Sequence, residues 1–254
     1  MRQEKTLRVI QITDTHLSAI NGSRIWGVDT DKSLTAVLEH LKHRHLPADF
    51  VLATGDLVQD EGREAYERLR NYLAPLAIPV YCLPGNHDIP DILDQVFHDG
   101  QVLHLRQVVR GAWQFVLLDS TVRGSTRGHL DDEELSFLED ALASHPDHHT
   151  MVCLHHQPLP VGSRWLDTMA VDNGAELFAI MNRHPQIRAV IWGHVHQEFA
   201  DRRGAVELLA TPSTCVQFRP GIAQPEADDR TPGYRWFNLG PDGTLETGVE
   251  RVPR

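Results

Sequence analysis

No stretch of this sequence approaches the roughly 20 consecutive apolar residues that a membrane-spanning helix needs. The first residues, MRQEKTLRVIQIT, pass straight into an apolar run of strand character and lack the hydrophobic segment and cleavage site of a secretory signal. Hydrophobic residues make up 41% of the chain and charged residues 23%, as is ordinary for a soluble globular protein. We therefore expect a cytoplasmic protein that does not insert into a membrane.

Cysteine and positive charge are also scarce. The three cysteines, Cys82, Cys153 and Cys215, are odd in number and lack zinc-knuckle spacing, so we expect reduced structural thiols and a buried Cys215. The 24 Lys and Arg residues against 35 Asp and Glu give a formal net charge of −11, which argues against a nucleic-acid surface. An anionic small-molecule substrate would have to be attracted by a local positive group such as bound metal.

The 254 residues show no internal repeat, linker or low-complexity tract, so we predict a single domain over residues 1–254. The chain alternates between strand-like and helix-like segments, and from about Ala205 short antiparallel strands are expected. Apolar runs predict strands at Leu7–Thr13, Phe50–Ala53, Pro79–Leu83, Trp113–Leu118, Thr150–Leu154 and Ala189–Trp192. Helical spacing predicts helices at Asp31–Leu41, Glu61–Leu73 and Asp131–Leu142.

Histidine is unusually frequent, with 16 residues. Ten of them, such as His40, His43 and His45, lie in polar segments and are expected to be solvated. The others stand in short clusters at the ends of apolar runs.

Five predicted strands end, at the carboxyl side, in a cluster of Asp, Asn or His. In α/β sheets, ligands bind beyond those strand ends. Residues i and i+2 of an extended segment point the same way, so one metal could take both members of a pair. Glycines before Asp56, Asn86 and His194 permit sharp, close turns. The five clusters are Asp14-Thr15-His16, Gly55-Asp56, Gly85-Asn86-His87-Asp88, His155-His156 and Gly193-His194-Val195-His196.

Each cluster alone has an ordinary explanation. Asp14 could cap a helix, and the segment around Asn86 could be a plain turn. His155 and His156 could be one core and one exposed histidine. Their joint occurrence at five strand ends indicates a metal site instead.

These clusters resemble the five motifs of the calcineurin-like metallophosphoesterases, in order and in strand-end position, with every ligand type present. Four further stretches are similar to the bacterial class III 3′,5′-cyclic AMP phosphodiesterases, and the resemblance runs from Leu7 to about Val252. It implies an α/β fold, a four-layer α/β/β/α sandwich of two mixed sheets flanked by helices. The four stretches are QITDTHL (residues 11–17), LATGDLVQD (52–60), LHHQPLPVGSRWLD (154–167) and LLATPSTCVQFRP (208–220).

The resemblance also implies a dinuclear metal centre bridged by Asp56. One metal would be held by Asp14, His16, Asp56 and His196. The other would be held by Asp56, Asn86, His155 and His194. Such His, carboxylate and amide ligands without thiolate suit Fe, Mn, Co or Zn better than Mg or Ca, and we expect two divalent ions per chain, Fe²⁺ or Mn²⁺. A metal pair of this kind holds a bridging hydroxide that attacks phosphorus.

His87 follows a ligand but lies outside both implied metal shells, so it is the candidate general acid for the leaving alkoxide. Asp88 could orient His87 or could cap a helix. His156 would point to the opposite face if its strand continued, where it would touch substrate or support a ligand. Substrate contacts are expected from His16, Asp56, Asn86, His87 and His196. Segments similar to the family's substrate-side loops contain Trp165, Phe218 and Arg219, which could stack on a base or pack in the core.

The resemblance implies a metal-dependent 3′,5′-cyclic-nucleotide phosphodiesterase that hydrolyses cyclic AMP to 5′-AMP and lowers cyclic AMP signalling. As an alternative, the same machinery acts on another small phosphodiester or on a phosphomonoester. A non-catalytic scaffold of this fold would usually have lost a ligand or the acid histidine, and this chain keeps all of them. Both a monomer and a homodimer are compatible with the sequence.

Overall fold

Two six-stranded sheets face each other, and helices cover the outer face of each sheet. The computed structural model describes residues 5–59 and 62–253. Within these residues, no helix is long and apolar enough to cross a membrane.

The strands and helices alternate through most of the chain, as the sequence pattern predicts. The strands are β1 (Leu7–Ile12), β2 (Arg24–Ile25), β3 (Val28–Asp29), β4 (Phe50–Thr54), β5 (Val80–Leu83), β6 (Val102–His104), β7 (Gln107–Arg110), β8 (Trp113–Leu117), β9 (His149–Cys153), β10 (Ile187–Trp192), β11 (Phe199–Arg203), β12 (Val206–Ala210), β13 (Gln217–Phe218), β14 (Ala227–Asp228), β15 (Gly233–Leu239) and β16 (Leu245–Arg251). The helices are α1 (Thr30–His45), α2 (Arg63–Leu73), α3 (Pro90–Val96), α4 (Asp132–Ser144), α5 (Arg164–Asp167) and α6 (Gly174–Arg183), and a 3₁₀ turn spans Ala74–Leu76.

Both sheets are mixed. The first has the strand order β16-β15-β1-β4-β5-β6, in which β1, β4, β5 and β6 are parallel and β15 is antiparallel to both of its neighbours, β1 and β16. The second has the order β11-β12-β10-β9-β8-β7, in which β8, β9, β10 and β12 are parallel and the two edge strands are antiparallel. This is the expected sandwich of two mixed sheets flanked by helices.

Three apolar cores separate the four layers, and the two-residue period of the strands supplies them. Along β4, Phe50 and Leu52 point into the core between the two sheets, whereas Val51 and Ala53 pack against the helices α1 and α2. The strands of the second sheet alternate in the same way between the central core and the core beneath α4 and α6. Burial on both faces explains why the strands are continuous apolar runs in the sequence.

Two of the outer helices, α1 and α4, begin at an aspartate that caps the first turn. Asp131 accepts a hydrogen bond from the backbone N–H of Glu134 at 2.9 Å and starts α4, as its acidic first turn predicts. Asp29 caps α1 in the same way through Lys32, at 3.1 Å. These caps fix where α1 and α4 start.

All six predicted strands and all three predicted helices are present, with shifts of a few residues at their ends. The start of the second predicted helix, at Glu61, lies outside the described residues. The expectation of purely antiparallel strands after Ala205 is wrong for β12, which pairs in parallel with β10 because it returns to the second sheet beside a central strand.

Two of the histidines expected to be solvated are half-buried against strand β15. The ring nitrogen Nδ1 of His40 lies 3.1 Å from the hydroxyl of Tyr234. The ring of His45 stacks on Trp236 with 6.0 Å between centroids and an interplanar angle of 21°. Polar neighbours in the sequence concealed these contacts because both partners come from the far end of the chain.

Candidate metal centre

The five sequence clusters meet at one edge of the sandwich, where the parallel strands of both sheets end. Backbone hydrogen bonds join the loops that carry them. The N–H of Asp14 donates to the carbonyl of Gly55 at 3.0 Å, and that of His16 donates to Asp56 at 2.9 Å. Across the two sequence halves, the N–H of His194 donates to both carboxylate oxygens of Asp14, at 3.2 and 3.1 Å. The proposed ligands therefore lie on mutually braced loops.

The paired ligands are brought together by left-handed kinks, not by the extended backbone that we expected. Five non-glycine residues here have positive φ, and such residues cost of order 1–3 kcal/mol each unless the surroundings impose them. Each kink changes the direction of the backbone, so that side chains two residues apart both face the same dinuclear site. The five are Asp14 (φ 53°), His16 (44°), Asp56 (48°), His194 (61°) and His196 (49°).

The glycines beside the ligands allow a closeness that no other residue would permit, as expected. A Cβ atom on Gly55 would lie 2.4 Å from Nδ1 of His155, and one on Gly85 would lie 2.3 Å from the backbone N of Asp56. A Cβ on Gly193 would lie 2.0 Å from Oγ1 of Thr13. These loops therefore pack backbone against side chain around the site.

Gly55→Ala should destabilise the protein by about 2–4 kcal/mol, because it adds a clash with His155 to the strain at φ +88°. The matched control is Gly100→Ala, at φ +81°, where no described atom lies within 4 Å of the added methyl group. The control should lose only about 1–2 kcal/mol. Urea unfolding of both variants measures the difference, and equal losses would show that the contact with His155 does not matter.

Three electron-rich atoms converge at the first half of the site. The Nδ1–H of His196 donates to the carbonyl of Val216 at 2.8 Å, and Nδ1 of His16 pairs with the amide oxygen of Gln59 at 3.0 Å. Both Nε2 lone pairs therefore face inward, where the two Nε2 atoms lie 3.2 Å apart. Oδ1 of Asp14 lies 3.2 Å from Nε2 of His196. A bound metal ion would stabilise lone pairs and a carboxylate in this arrangement.

The second half of the site has the same character. Nδ1–H of His155 donates to the carbonyl of Thr54 at 2.9 Å, which directs Nε2 toward Oδ2 of Asp56 at 3.3 Å. Among the described residues, Oδ1 of Asn86 and both ring nitrogens of His194 are buried without a hydrogen-bond partner. Buried polar atoms are rarely left unpaired in native proteins. The residues present therefore fit a metal ion on this side as well.

Asp56 stands between the two halves. Its Oδ2 lies 3.3 Å from Nε2 of His155 and 3.8 Å from Nε2 of His16. It belongs to two of the groups of potential ligand atoms that lie within 4.8 Å of one another, one with Asp14 and His155 and one with His16 and His87. These groups fit a dinuclear divalent centre.

Burial and the neighbouring carboxylates shift the pKa values of the site histidines in different directions. Burial lowers the pKa of His16 to about 4 and that of His194 well below its usual value, so both rings are neutral, as metal ligands must be. Burial would also lower the pKa of His155, but the Asp56 carboxylate outweighs it and raises that pKa to about 9. Despite burial, His155 in turn keeps the pKa of Asp56 well below its usual value. A metal ion that takes His155 must displace its proton, so binding should weaken as the pH falls.

His87 lies at the mouth of the site. Its backbone N–H donates to Oδ1 of Asp56 at 2.9 Å, and its ring meets that of His16 edge-on with 5.0 Å between centroids. The ring is half-buried and lines the same cavity as the proposed ligands His16 and His196. It is therefore positioned beside the proposed metal ligands, on the cavity that a substrate could enter.

Asp88 neither caps helix α3 nor contacts the His87 ring within the described structure, which corrects both expectations for it. Its carboxylate accepts hydrogen bonds from the N–H groups of Gly85 (2.8 Å), Leu57 (3.0 Å) and Val58 (3.2 Å) and from a tyrosine hydroxyl. Burial and the Asp56 charge raise the pKa of Asp88 to about 7. Asp88 therefore braces the two loops that carry Asp56 and Asn86.

His156 does not point to the opposite face of its strand. Its ring lies 4.7 Å from that of His194, and the two form a group with His155 whose potential ligand atoms lie within 4.8 Å of one another. Nδ1 of His156 pairs with Oγ of Ser120 at 2.9 Å. The chain leaves the extended conformation directly after β9, and so both consecutive histidines face the centre.

An apolar cleft continues from the metal cluster. The cavity of about 370 Å³ is lined by His16 and His196 and by the aromatic residues Trp165 and Phe218. Arg219, expected near the substrate, is exposed and pairs instead with Glu226 at 2.9 Å. Among the lining residues that the sequence did not indicate is Trp26, which follows no strand-end cluster and lies in a short hairpin.

The comparisons with known proteins agree with this geometry. The family model of the calcineurin-like phosphoesterases matches residues 7–198. The chain belongs to this family. A curated relative from Pseudomonas aeruginosa, the 3′,5′-cyclic adenosine monophosphate phosphodiesterase CpdA, is 41% identical over 250 residues, which cover 98% of this chain and 91% of the relative.

A second relative, a 3′,5′-cyclic-nucleotide phosphodiesterase from Nostoc sp., is 40% identical over 253 residues. The alignment covers 100% of this chain and 95% of the relative. Among solved structures, a dimetal phosphatase from Danio rerio superposes with a TM-score of 0.64 at 12% identity, over 98% of this chain and 100% of that one. At that identity the likeness concerns the fold alone. The resemblance stated from the sequence motifs is thereby confirmed.

Proposed function

We propose that this protein hydrolyses 3′,5′-cyclic AMP to 5′-AMP at a dinuclear metal centre and so lowers cyclic AMP signalling. The convergence of lone pairs and carboxylates around Asp56 carries the proposal, because such a cluster of potential ligand atoms fits two cations. The choice of a cyclic nucleotide as substrate rests on the two relatives that align over nearly the whole chain, both of which are named as cyclic-nucleotide phosphodiesterases. The three free, buried cysteines suit a reducing compartment such as the cytoplasm.

The proposed ligands divide into two sets that share Asp56. The first set is Asp14, His16, Asp56 and His196. The second set is Asp56, Asn86, His155 and His194. When bound, two divalent ions, Fe²⁺ or Mn²⁺ on this ligand chemistry, supply Lewis-acid stabilisation of phosphoryl oxygens and lower the pKa of water. The ring contacts of His16, His155 and His196 with backbone or amide oxygens hold each Nε2 lone pair toward its ion.

His87 has the role of general acid in this proposal. Water adds to phosphorus while the bond to the departing ester oxygen breaks, and that oxygen takes a proton from the His87 ring. His87 is half-buried and lines the open side of the cavity, where a leaving group can approach it. Asn86, His16 and His196 line the same cavity and would contact the phosphate.

His156 would act behind the ligands. The hydroxyl of Ser120 is paired with Nδ1, and burial together with the neighbouring His155 lowers the pKa of His156 to about 3, so the ring is neutral. Its contact with the ring of His194 at 4.7 Å would fix the orientation of that ligand. A neutral supporting ring adds no charge that would repel the metal ions.

The identity of the product tests the proposed reaction. With the 3′ oxygen of cyclic AMP beside His87, hydrolysis expels that oxygen and leaves the phosphate on the 5′ carbon. We therefore expect 5′-AMP as the sole product when Fe²⁺ or Mn²⁺ is supplied, as measured by chromatography of a single incubation. The same incubations with 2′,3′-cyclic AMP, a glycerophosphodiester and a phosphomonoester provide the comparison.

Accumulation of 3′-AMP would contradict the orientation of the substrate, although not the phosphodiesterase activity. If the protein turned over another ester of the panel but not cyclic AMP, the proposed substrate would be wrong. The proposed metal site would stand. No turnover of any ester by metal-loaded protein would favour a non-catalytic scaffold.

A further inference from the structure

Trp26 occupies a position that folding alone does not explain. It forms, with Gly27, the two-residue turn between β2 and β3, and its side chain is 56% exposed. Both turn residues have positive φ, 49° for Trp26 and 84° for Gly27. Hairpin turns with two positive φ angles favour Asn-Gly or Asp-Gly, and a bulky residue in that conformation is an outlier.

The hairpin holds this unfavourable residue in a defined place. The guanidinium of Arg24 donates to the carbonyl of Gly27 at 2.8 Å, and the N–H of Thr30 donates to the carbonyl of Ser23 at 3.1 Å, at the start of α1. A tryptophan in this turn adopts a backbone conformation that bulky residues disfavour, and the strain is not offset by burial of its side chain. Such violations concentrate at functional sites.

Trp26 faces the cavity of the metal centre. Its ring meets the ring of Phe218 edge-on, with 5.8 Å between centroids at 75°. Phe218 in turn stacks on His196, with 4.4 Å between centroids at 20°. Trp165 meets Phe218 from another side, at 4.9 Å and 81°. An aromatic wall therefore extends from a proposed metal ligand to the exposed indole of Trp26.

We infer that Trp26 is a specificity-determining residue that stacks on the nucleobase of the substrate. The inference rests on the proposed function, since it needs a phosphate ester that carries a flat base. With the phosphate at the histidines, a base would lie against the apolar lining of the cavity, to which Trp26 and Phe218 belong. Stacking uses the face of the base and not its hydrogen-bonding edge, so purines of different edge pattern should share this contact.

The test uses three variants of the metal-loaded protein. Trp26→Asn removes the stacking surface and places a residue that the turn prefers, so the hairpin is retained. Trp26→Phe keeps an aromatic face. Ile20→Ala is the matched control, because Ile20 is 72% exposed in the same loop region but does not line the cavity.

Each protein is assayed with cyclic AMP and with methyl riboside 3,5-cyclic phosphate, which has the same ring and no base. Binding of 5′-AMP is measured by calorimetry. Trp26→Asn should lower kcat/KM for cyclic AMP roughly 10–100-fold, chiefly through KM, and should weaken 5′-AMP binding to a similar degree. Its loss on the substrate without a base should be below about threefold, and its melting temperature should not fall. Trp26→Phe should recover most of the loss, and Ile20→Ala should match the wild type.

Equal losses on both substrates, or no loss on cyclic AMP, would overturn the inference while leaving the proposed function in place. If the wild type does not turn over cyclic AMP but binds 5′-AMP through Trp26, the proposed function fails and the stacking role stands. If the wild type binds no nucleotide, the stacking role is wrong as well.

Discussion

Asp56→Ala should remove both metal ions, not one. The carboxylate lies between the two proposed ligand sets and is within 4 Å of Nε2 of both His155 and His16. The metal content measured by elemental analysis should fall from about two transition-metal ions per chain in the wild type to well below one in the variant. Because a catalytic metal ion supplies several kcal/mol of transition-state stabilisation, kcat/KM should fall by about 10³-fold or more.

Asp147→Ala is the matched control for this prediction. Asp147 is an exposed aspartate that precedes β9, at the end of the strand opposite the site. This variant should keep both metal ions and full activity. Loss of a single ion from Asp56→Ala, with the other retained at full occupancy, would contradict the bridging role.

His87→Ala should separate chemistry from metal binding. The ring lies outside both proposed ligand sets, so the variant should keep about two ions per chain while turnover falls roughly 10²–10⁴-fold. The loss should shrink for substrates with good leaving groups, since these need little protonation as they depart. Parallel assays on cyclic AMP and on a p-nitrophenyl phosphodiester measure the difference.

His98→Ala is the matched control, because His98 is an exposed histidine in the same region of the chain. This variant should keep the metal content and the turnover of the wild type. If His87→Ala lost a metal ion, His87 would be a ligand or a structural support. His87 forms a group of potential ligand atoms with His16 and Asp56, so the metal content of the variant is measured together with its turnover.

The gathering of the ligands could be predicted from the sequence because parallel strands end at a common edge. The apolar runs before Asp14, Asp56, Asn86, His155 and His194 marked the ends of buried strands. Once five such ends share one edge, their polar residues must meet. The glycines at Gly55 and Gly193 could be interpreted for the same reason, since loops that converge need close backbone contact.

The elements that escaped prediction are short or depend on distant partners. Helix α3 has seven residues, and hairpin β2–β3 has two residues in each strand, too few to show a period. Nothing in the sequence near Trp26 identifies its neighbour Phe218, which lies 192 residues further along the chain.

The roles of individual side chains were hardest to predict where a kink overrides the strand period. The sequence predicts His156 on the face of its strand opposite His155, but the backbone turns after Cys153, where β9 ends. Asp88 was paired with its neighbour His87, whereas its partners Leu57 and Val58 come from another loop. Both errors came from extending local geometry past the end of a regular element.

Diffraction from Mn²⁺-loaded wild-type crystals at the manganese absorption edge tests the central claim most directly. The account predicts two anomalous peaks about 3.5–4 Å apart, with the Asp56 carboxylate between them. One peak should lie within bonding distance of His16 and His196, and the other within bonding distance of His155 and Asn86. A single peak, or two peaks that do not share Asp56, would contradict a dinuclear centre built on this residue.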